Sequence, residues 1–265
     1  MKIKIPPYPN YKITQRAFHE DIASNSVNKT DSSGLSNHLL LITGFKTGEK
    51  RVIKVRPVRY DNKLYVTAFP NPIHLFLSLA IDHYNFSEQI KQENFPKCGK
   101  QCGEDIYILD IEENGTHDCY NRYIKYRVSS IIMIVSAIEA YLNHVIPNDF
   151  VYNTIRKNKE VEFDKIAIES PKISFREKLM EILPIVAKSD FSWNNLEKEK
   201  LSILELYDNR KDLIHLKTNA NDDFEMYFDT IDKMLDLDIY ASIESTIKVM
   251  NLANKDFIEF EKNDK

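Results

Sequence analysis

Residues 124–147 read IKYRVSSIIMIVSAIEAYLNHVIP, and this stretch sets the architecture of the second half of the chain. Its apolar residues recur at every third or fourth position for about six turns, which is the period of one buried helix face. Pro147 closes the run because proline cannot continue the hydrogen-bonding ladder of a helix. The pattern predicts a long amphipathic helix with one face in a core.

Further helices are predicted downstream of this stretch. Ser174 precedes Glu177 by three residues, which is the spacing of a helix-capping box, and Pro184 is expected to kink or end the helix that follows. The predicted helices span residues 174–186, then from about 194 or 195 through 207, and about 238–260. Four amphipathic helices joined by modest links predict a helical bundle.

The sequence pattern of residues 38–69, in the N-terminal part of the chain, is that of strands and not of helices. Three short runs rich in β-branched and aromatic residues are separated by turn-forming residues, and this pattern predicts a three-stranded antiparallel meander. The runs lie at residues 38–43, 51–58 and 63–69. Asn71 is placed to cap a helix that runs through Tyr84, and residues 105–111 form another short strand-like run. We therefore expect an α+β chain with a small β-rich N-terminal module at 1–118 and a helical unit at 119–265.

Composition narrows the functional classes. The chain has 265 residues, a formal net charge of −4 and three cysteines. The net negative charge does not indicate nucleic-acid binding, so any RNA-binding function must depend on a local basic site. The richest apolar run, 131–142, is too short to span a bilayer, and three cysteines do not make a disulfide framework. These features predict a cytoplasmic protein without a membrane partner.

The predicted third helix leads into Asp208-Asn209-Arg210-Lys211-Asp212-Leu213-Ile214-His215, which contains Arg-x4-His. Together with the earlier run Ser136-Ala137-Ile138-Glu139-Ala140-Tyr141-Leu142-Asn143, this motif resembles the HEPN (higher eukaryotes and prokaryotes nucleotide-binding) family. The resemblance covers about 140 residues and nothing before residue 120. It implies a four- or five-helix bundle whose ribonuclease members cleave RNA without metal or other cofactors, in roles such as toxin or phage-defence effector.

The residue types suit that chemistry. The 2′-hydroxyl of RNA can attack the adjacent phosphate, so a site needs a proton-transfer group, which histidine supplies near neutral pH. It also needs a fixed cationic fork over the phosphate oxygens, which arginine supplies. His215 is the expected acid/base and Arg210 the expected phosphate clamp. Lys211 is expected to add a phosphate contact, Asn209 to support the site, and Glu139 to orient Arg210 across the bundle.

The spacing of the motif raises a geometric problem. Two side chains five residues apart point about 140° away from each other on an ideal helix. Either a bend near Asp212 realigns Arg210 with His215, or the site is composite. The family resemblance implies the second route, in which two protomers pair and line one cleft, so we expect a homodimer. An antitoxin or regulatory partner is also consistent with the resemblance.

Two alternatives stay open. Many members of the family place Asn, His or Asp directly after the arginine, whereas this chain has Lys211, which favours a non-catalytic interaction module, for example a partner of a minimal nucleotidyltransferase. A zinc-stabilised adaptor would use soft ligands near the junction. Its candidate ligands are Cys98, Cys102, His117 and Cys119.

Overall fold

The computed structural model describes residues 12–13, 39–44, 50–68, 70–94, 100–108, 116–215 and 225–261 of the chain. Most of these residues are helical, and small antiparallel strand pairs supply the remaining regular structure. The α+β class is therefore the one that the sequence predicted.

Eight α-helices and nine strands are assigned within the described residues. The helices are α1 (Pro72–Asn94), α2 (Thr116–Val145), α3 (Lys165–Glu169), α4 (Phe175–Glu177), α5 (Leu183–Val186), α6 (Glu197–Ile214), α7 (Glu225–Asp236) and α8 (Ile239–Ala253). The strands are β1 (Lys12–Ile13), β2 (Leu39–Gly44), β3 (Lys50–Tyr60), β4 (Lys63–Ala68), β5 (Lys100–Gly103), β6 (Ile106–Ile108), β7 (Val151–Arg156), β8 (Lys159–Asp164) and β9 (Phe260–Glu261).

The main hydrophobic core is built around α2, as its apolar period predicted. Ile131, Ile134 and Val135 of α2 are fully buried, and α1, α6 and α8 pack against this helix. Helix α1 contributes Ile73 and Leu77 to the same core, although it precedes residue 119. Part of the predicted N-terminal module thus shares the core of the C-terminal helices, and a separate module over residues 1–118 stays a prediction.

One helix in the described part of the chain, at Asp118–Val145, is long and apolar enough in composition to cross a membrane. The same test is passed by core helices of folded domains, and Ile131, Ile134 and Ala137 of α2 are fully enclosed. The criterion is therefore weak evidence for a membrane span here.

The predicted meander is confirmed as the antiparallel order β2-β3-β4. Asp61 and Asn62, which join β3 to β4, both have positive φ (47° and 57°), as the two-residue turns that fit twisted hairpins require. A second hairpin, β7–β8, was not predicted; its turn residues Lys157 and Asn158 also have positive φ. It covers a small separate core that includes Tyr152 and Ile168.

Two helix starts follow the capping residues read from the sequence, whereas α6, predicted to begin near Asn194 or Asn195, begins at Glu197 after Leu196, without a side-chain cap. Asn71 Oδ1 accepts a hydrogen bond from the Ile73 N–H at 2.9 Å and begins α1. Ser174 Oγ accepts from the Glu177 N–H at 3.2 Å, which is the forward half of the predicted capping box. The Glu177 carboxylate turns instead to Arg156 on β7. This ion pair ties the unpredicted hairpin to the start of α4.

A π-helical turn, Lys178–Ile182, separates α4 from α5. Pro184 lacks an N–H and cannot make the regular bond to the carbonyl four residues back. The Leu183 N–H bonds to the Lys178 carbonyl, five residues back, which is the π pattern. The expected irregularity at Pro184 is thus found one turn before the proline.

The last predicted helix is shorter than expected. Asp238 caps α8 by accepting from the Ala241 N–H at 2.9 Å, but the helix ends at Ala253 rather than near residue 260. Asp256 has positive φ (55°), so the chain turns there, and Phe257 packs back against the core. Helix α7, which precedes α8, was not predicted.

The C-terminal end of α7 is held by one buried arginine from α2. Arg127 is 5% exposed, and its Nη2 donates to the carbonyls of Met234, Leu235 and Leu237 at 3.1, 3.3 and 2.8 Å. Its Nη1 lies 3.4 Å from Glu88 of α1. Because the last carbonyls of a helix have no partner within it, this guanidinium fixes α1, α2 and α7 together.

Candidate functional site

Helix α6 carries the Arg-x4-His motif at its C-terminal end. Ile203 and Leu206 are buried and anchor the helix in the main core. The helix ends at Ile214, and His215 is the capping residue, whose N–H donates to the Lys211 carbonyl at 3.0 Å. The motif is therefore positioned by a helix that the core holds firmly.

Arg210 lies at the contact between α6 and α2. Its Nη2 is 3.9 Å from Glu139 Oε2, and the two side chains are 24% and 40% exposed. Its Nε is buried and has no hydrogen-bond partner in the described part of the chain. The two residues meet across the helices as expected, and the guanidinium keeps donor capacity that this single long contact does not use. That Glu139 orients Arg210 for chemistry stays a prediction.

His215 lies on a different side of α6 from Arg210. The helix remains an α-helix through Asp212, so the expected alternative of a bend at that residue is wrong. Five residues of regular helix therefore keep the two side chains about 140° apart. His215 is exposed, next to residues 216–224, which lie outside the described residues. One chain does not bring the two groups to one phosphate through α6 itself.

The two flanking residues of the motif differ in exposure. Asn209 is 8% exposed, and its Nδ2 donates to the Glu205 carbonyl at 3.0 Å. It faces the core and not the side of Arg210 that meets Glu139. Lys211 is exposed, on the same broad face of α6 as His215. The exposed Lys211 side chain is accessible to a phosphate, whereas Asn209 lies on the core side of α6 and bonds to the helix backbone.

A cleft of about 480 Å³ lies beside the Arg210–Glu139 contact. It runs between α2, α6 and residues 169–178. Its polar and aromatic lining includes Glu139, Asn143, Glu169, Lys178, Phe175 and Tyr207. Glu139 is shared between the cleft and Arg210, so the arginine stands at the rim of this concavity.

Lys178 is the cationic side chain of the cleft. Its Nζ donates to Asn143 Oδ1 at 3.1 Å, and burial lowers the pKa of Lys178, while Glu139 and Glu169 act in the opposite direction. Desolvation disfavours the charged form of an amine, which explains the direction. The lysine is held by the π turn and by α2 together.

The aromatic wall of the cleft is a stacked pair. The rings of Phe175 and Tyr207 are parallel within 2°, with centroids 4.1 Å apart. Arg176 and Asp208, the next residue along in each case, form an exposed ion pair at 2.5 Å. Two adjacent contacts thus connect α4 to α6 at this wall.

The residues of the cleft were missed in the sequence, apart from Glu139. Glu139 and Asn143 are four residues apart, a spacing that puts two polar side chains on one helix face beside an apolar stripe, and this signal was readable. Lys178 and Tyr207 reach the cleft through tertiary packing of α4, the π turn and α6 on α2. No local sequence pattern around Lys178 or Tyr207 predicts that their side chains line a cleft.

The proposed zinc ligands are not brought together among the residues that the structure describes. Cys102 is an exposed free thiol and Cys119 is a partly buried one. Cys98 and the side chain of His117 lie outside the described residues. Within the described ranges no group of three His, Cys, Asp or Glu side chains is arranged to hold a metal ion. A zinc site stays untested.

Comparisons with known proteins identify no relative of this chain. The chain matches no protein-family model, and neither the curated proteins nor the solved structures contain a match to it.

Proposed function

We propose that this protein is a metal-independent endoribonuclease of HEPN-like type. Its catalytic unit is the helical bundle that contains α2 and α6. Arg210 is the phosphate clamp and His215 the acid/base, and the site is completed in a homodimer. A toxin or phage-defence effector is the biological role that fits this activity.

The observation that carries the proposal is the state of Arg210. It is held on a core helix, partly buried, with one carboxylate at 3.9 Å and a buried Nε that has no acceptor in the described part of the chain. The buried Nε of Arg127 is also without an acceptor among the described residues, so what distinguishes Arg210 is its terminal nitrogens, which have one long contact with a carboxylate where those of Arg127 bond to three carbonyls. Arg210 is thus preorganised and incompletely satisfied, as a clamp for an incoming phosphate would be.

The chemistry is a transesterification within the RNA. The 2′-hydroxyl attacks the adjacent phosphorus, the new O2′–P bond forms, and the P–O5′ bond breaks. His215 handles the proton of the attacking or leaving oxygen, and Arg210 neutralises charge on the phosphoryl oxygens. The products are a 2′,3′-cyclic phosphate and a 5′-hydroxyl end, so no metal ion is required.

The direct test is digestion of single-stranded RNA in EDTA. We expect the wild type to cleave RNA and to leave a matched strand with 2′-O-methyl groups intact. Arg210→Ala and His215→Ala are each expected to lower the rate by about 100-fold or more, because each removes a group acting in the transition state. Wild-type rates of RNA cleavage in both variants would contradict the assignment of Arg210 and His215 as the catalytic residues.

Matched controls separate chemistry from folding. Arg156→Ala also removes an arginine paired with a glutamate, but on the β7–β8 hairpin, and it should leave the rate within about twofold. Far-ultraviolet circular dichroism and the melting temperature of every variant must match the wild type. A rate lost equally in Arg156→Ala would point to a folding effect.

The alternative is a non-catalytic interaction module, such as a partner of a minimal nucleotidyltransferase. The regular helix between Arg210 and His215 favours it, because one chain keeps the two groups on different sides. Under this alternative, purified protein cleaves no RNA in EDTA and the His215→Ala variant behaves as the wild type.

A further inference from the structure

The outer face of the β7–β8 hairpin carries an apolar row beside an acidic row. Val151 and Ile155 of β7 are 46% and 69% exposed, although Tyr152 between them is buried. Their partners across the ladder are Asp164 and Glu160, in that order. Residues directly opposite each other in an antiparallel pair lie on the same face of the sheet. The face away from the core therefore presents aliphatic side chains next to carboxylates.

Helix α3 extends this outer face into a groove. Ile166 of α3 is 80% exposed, the highest fraction among the large apolar side chains that the structure describes. A groove of about 560 Å³ lies between the hairpin and residues 166–172, and its lining includes Val151, Glu162 and Ile166. Covering exposed aliphatic groups is favourable in proportion to the apolar area removed from water. A partner that covers Val151 and Ile166 would therefore gain free energy of binding.

The carboxylates of the outer face are without a basic partner in the described part of the chain. Glu160 and Glu162 form no ion pair there, and Asp164 accepts the Ala167 N–H at 2.8 Å as the cap of α3. Lys172 is the cation of the groove, whose lining sets Glu162 and Asp164 against that one ammonium group. The surface therefore has an excess of negative charge that a basic partner would neutralise.

Other occupants fit this charge pattern less well. A second copy of the chain, related by a two-fold axis, would bring the same row of carboxylates to the interface from both sides, and like charges across an interface are unfavourable. RNA and anionic membrane surfaces would meet the same repulsion through their phosphate groups. Arg156 does not relieve this repulsion, because its guanidinium pairs with Glu177 on the opposite face of the hairpin.

We propose that the outer face of the β7–β8 hairpin, together with α3, binds a basic amphipathic helix of a protein partner. The two rows lie on adjacent strands about 4.8 Å apart, so they match the adjacent apolar and basic stripes of one helix. The apolar stripe packs on Val151, Ile155 and Ile166. The basic stripe places Lys or Arg side chains beside Glu160 and Glu162.

The size of the surface fits one short helix. The span from Val151 to Ile155 is roughly 13 Å, which about nine residues of helix cover. The inference goes beyond the proposed ribonuclease and does not rest on it, because the surface shares no residue with the Arg-x4-His motif.

The test is binding of a labelled synthetic peptide of about 14 residues to the full chain, followed by fluorescence anisotropy. The peptide forms a helix with leucines on one side, flanked by lysines. We expect saturable binding with a dissociation constant below about 100 μM. A peptide with glutamate at every lysine position should bind at least about tenfold more weakly, and so should a scrambled peptide of equal charge without an apolar side. Raising the salt from about 0.05 M to about 0.5 M should weaken binding about fivefold, because exposed charges are screened.

Two variants probe the outer face and two serve as controls. A chain with both Glu160→Gln and Glu162→Gln should bind the lysine peptide about tenfold more weakly, because two ion pairs are lost. Ile166→Ser should weaken binding about fivefold or more, because an apolar contact is lost. Asp82→Asn on α1 and Leu201→Ser on α6 remove an exposed carboxylate and an exposed aliphatic side chain elsewhere, and each should leave the affinity within about twofold.

Melting temperatures equal to that of the wild type establish that each variant is folded, and the comparisons of peptide charge and salt need no variant. Equal affinity for the lysine and glutamate peptides overturns the proposal, as does wild-type affinity in the folded double variant. A dimer of the wild type that becomes a monomer in Ile166→Ser would also overturn it, by assigning the outer face to a second copy. Loss of RNA cleavage is a separate outcome, because variants of the outer face should cleave RNA at the wild-type rate.

Discussion

Arg127 and Arg210 show how the same side chain serves structure in one place and chemistry in another. The terminal nitrogens of Arg127 bond to three helix-end carbonyls and approach Glu88, all at a buried position. Those of Arg210 have one carboxylate at 3.9 Å. The first guanidinium is committed to the fold, whereas the second keeps donors that a substrate can use.

Removal of Arg127 should therefore act on stability. Arg127→Ala is expected to lower the free energy of unfolding by about 3 kcal/mol or more, because it leaves three carbonyls at the end of α7 and the Glu88 carboxylate without a buried partner. Urea denaturation followed by circular dichroism measures the change.

The control for Arg127 is the exposed ion pair of Arg176 with Asp208. Both side chains of that pair are 52% exposed, so Arg176→Ala should change the free energy of unfolding by about 0.5 kcal/mol or less. A loss below about 1 kcal/mol in Arg127→Ala would show that water replaces the guanidinium at the carbonyls.

The motif residues were readable from the sequence, and the rest of the candidate site was not. Arg210, His215 and Glu139 came from one spacing and one resemblance, and the contact between Glu139 and Arg210 is present. Asn209 was placed in the site but faces the core. Lys178 is the first residue of the π turn, and a π turn has no sequence signature that distinguishes it from an α-helix.

Secondary structure was predictable where one face is buried and the other is not. Helix α2 has such faces, and the β2-β3-β4 meander has clear turn residues. The β7–β8 hairpin was missed although Val161 and Phe163 of β8 are partly buried and alternate with exposed acidic residues. Helix α7 was missed although Thr230, Ile231 and Met234 are buried at helical spacing.

The missed hairpin depends on its turn. Asn158 has φ of 61°, a left-handed conformation that β-branched residues adopt with difficulty. Asn158→Val should lower the free energy of unfolding by about 1 to 2 kcal/mol, because the substitution adds strain at that backbone angle.

The same substitution two residues later provides the comparison. Glu160 lies in β8, where extended backbone accepts valine, so Glu160→Val should not destabilise the protein. Thermal unfolding of the two variants side by side measures the difference. Equal melting temperatures would mean that the turn does not limit the stability of the fold.

The proposed dimer is the largest assembly on which the function depends. The regular α6 keeps Arg210 and His215 on different sides of one helix, and the proposal therefore takes the two groups at one phosphate from two chains. Two-fold symmetry would place the arginine of one protomer against the histidine of the other, twice. The proposal thus ties activity to association.

Mixing two inactive variants tests this requirement. Arg210→Ala and His215→Ala, unfolded and refolded together at equal amounts, should recover about a quarter of wild-type cleavage, since half of the dimers are mixed and each holds one complete site. Cleavage of RNA in EDTA is the readout, and light scattering gives the mass of the particle.

Each variant refolded alone is the control and should remain inactive. A monomeric mass together with full wild-type cleavage would contradict the composite site. So would a dimer in which the mixture stays inactive while wild type treated in the same way recovers its activity.

The π turn at Lys178–Ile182 affects how the protein can diverge in evolution as well as the local geometry of the helix. Such a turn accommodates one residue more than a regular helix, so loss of a single codon there would let α4 and α5 merge. The merged helix would rotate its first turn by about 100° and would carry the Lys178 ammonium group away from the cleft beside Glu139. Among diverged descendants, the presence or absence of that one residue would separate lineages that keep Lys178 in the cleft from those that keep only the scaffold.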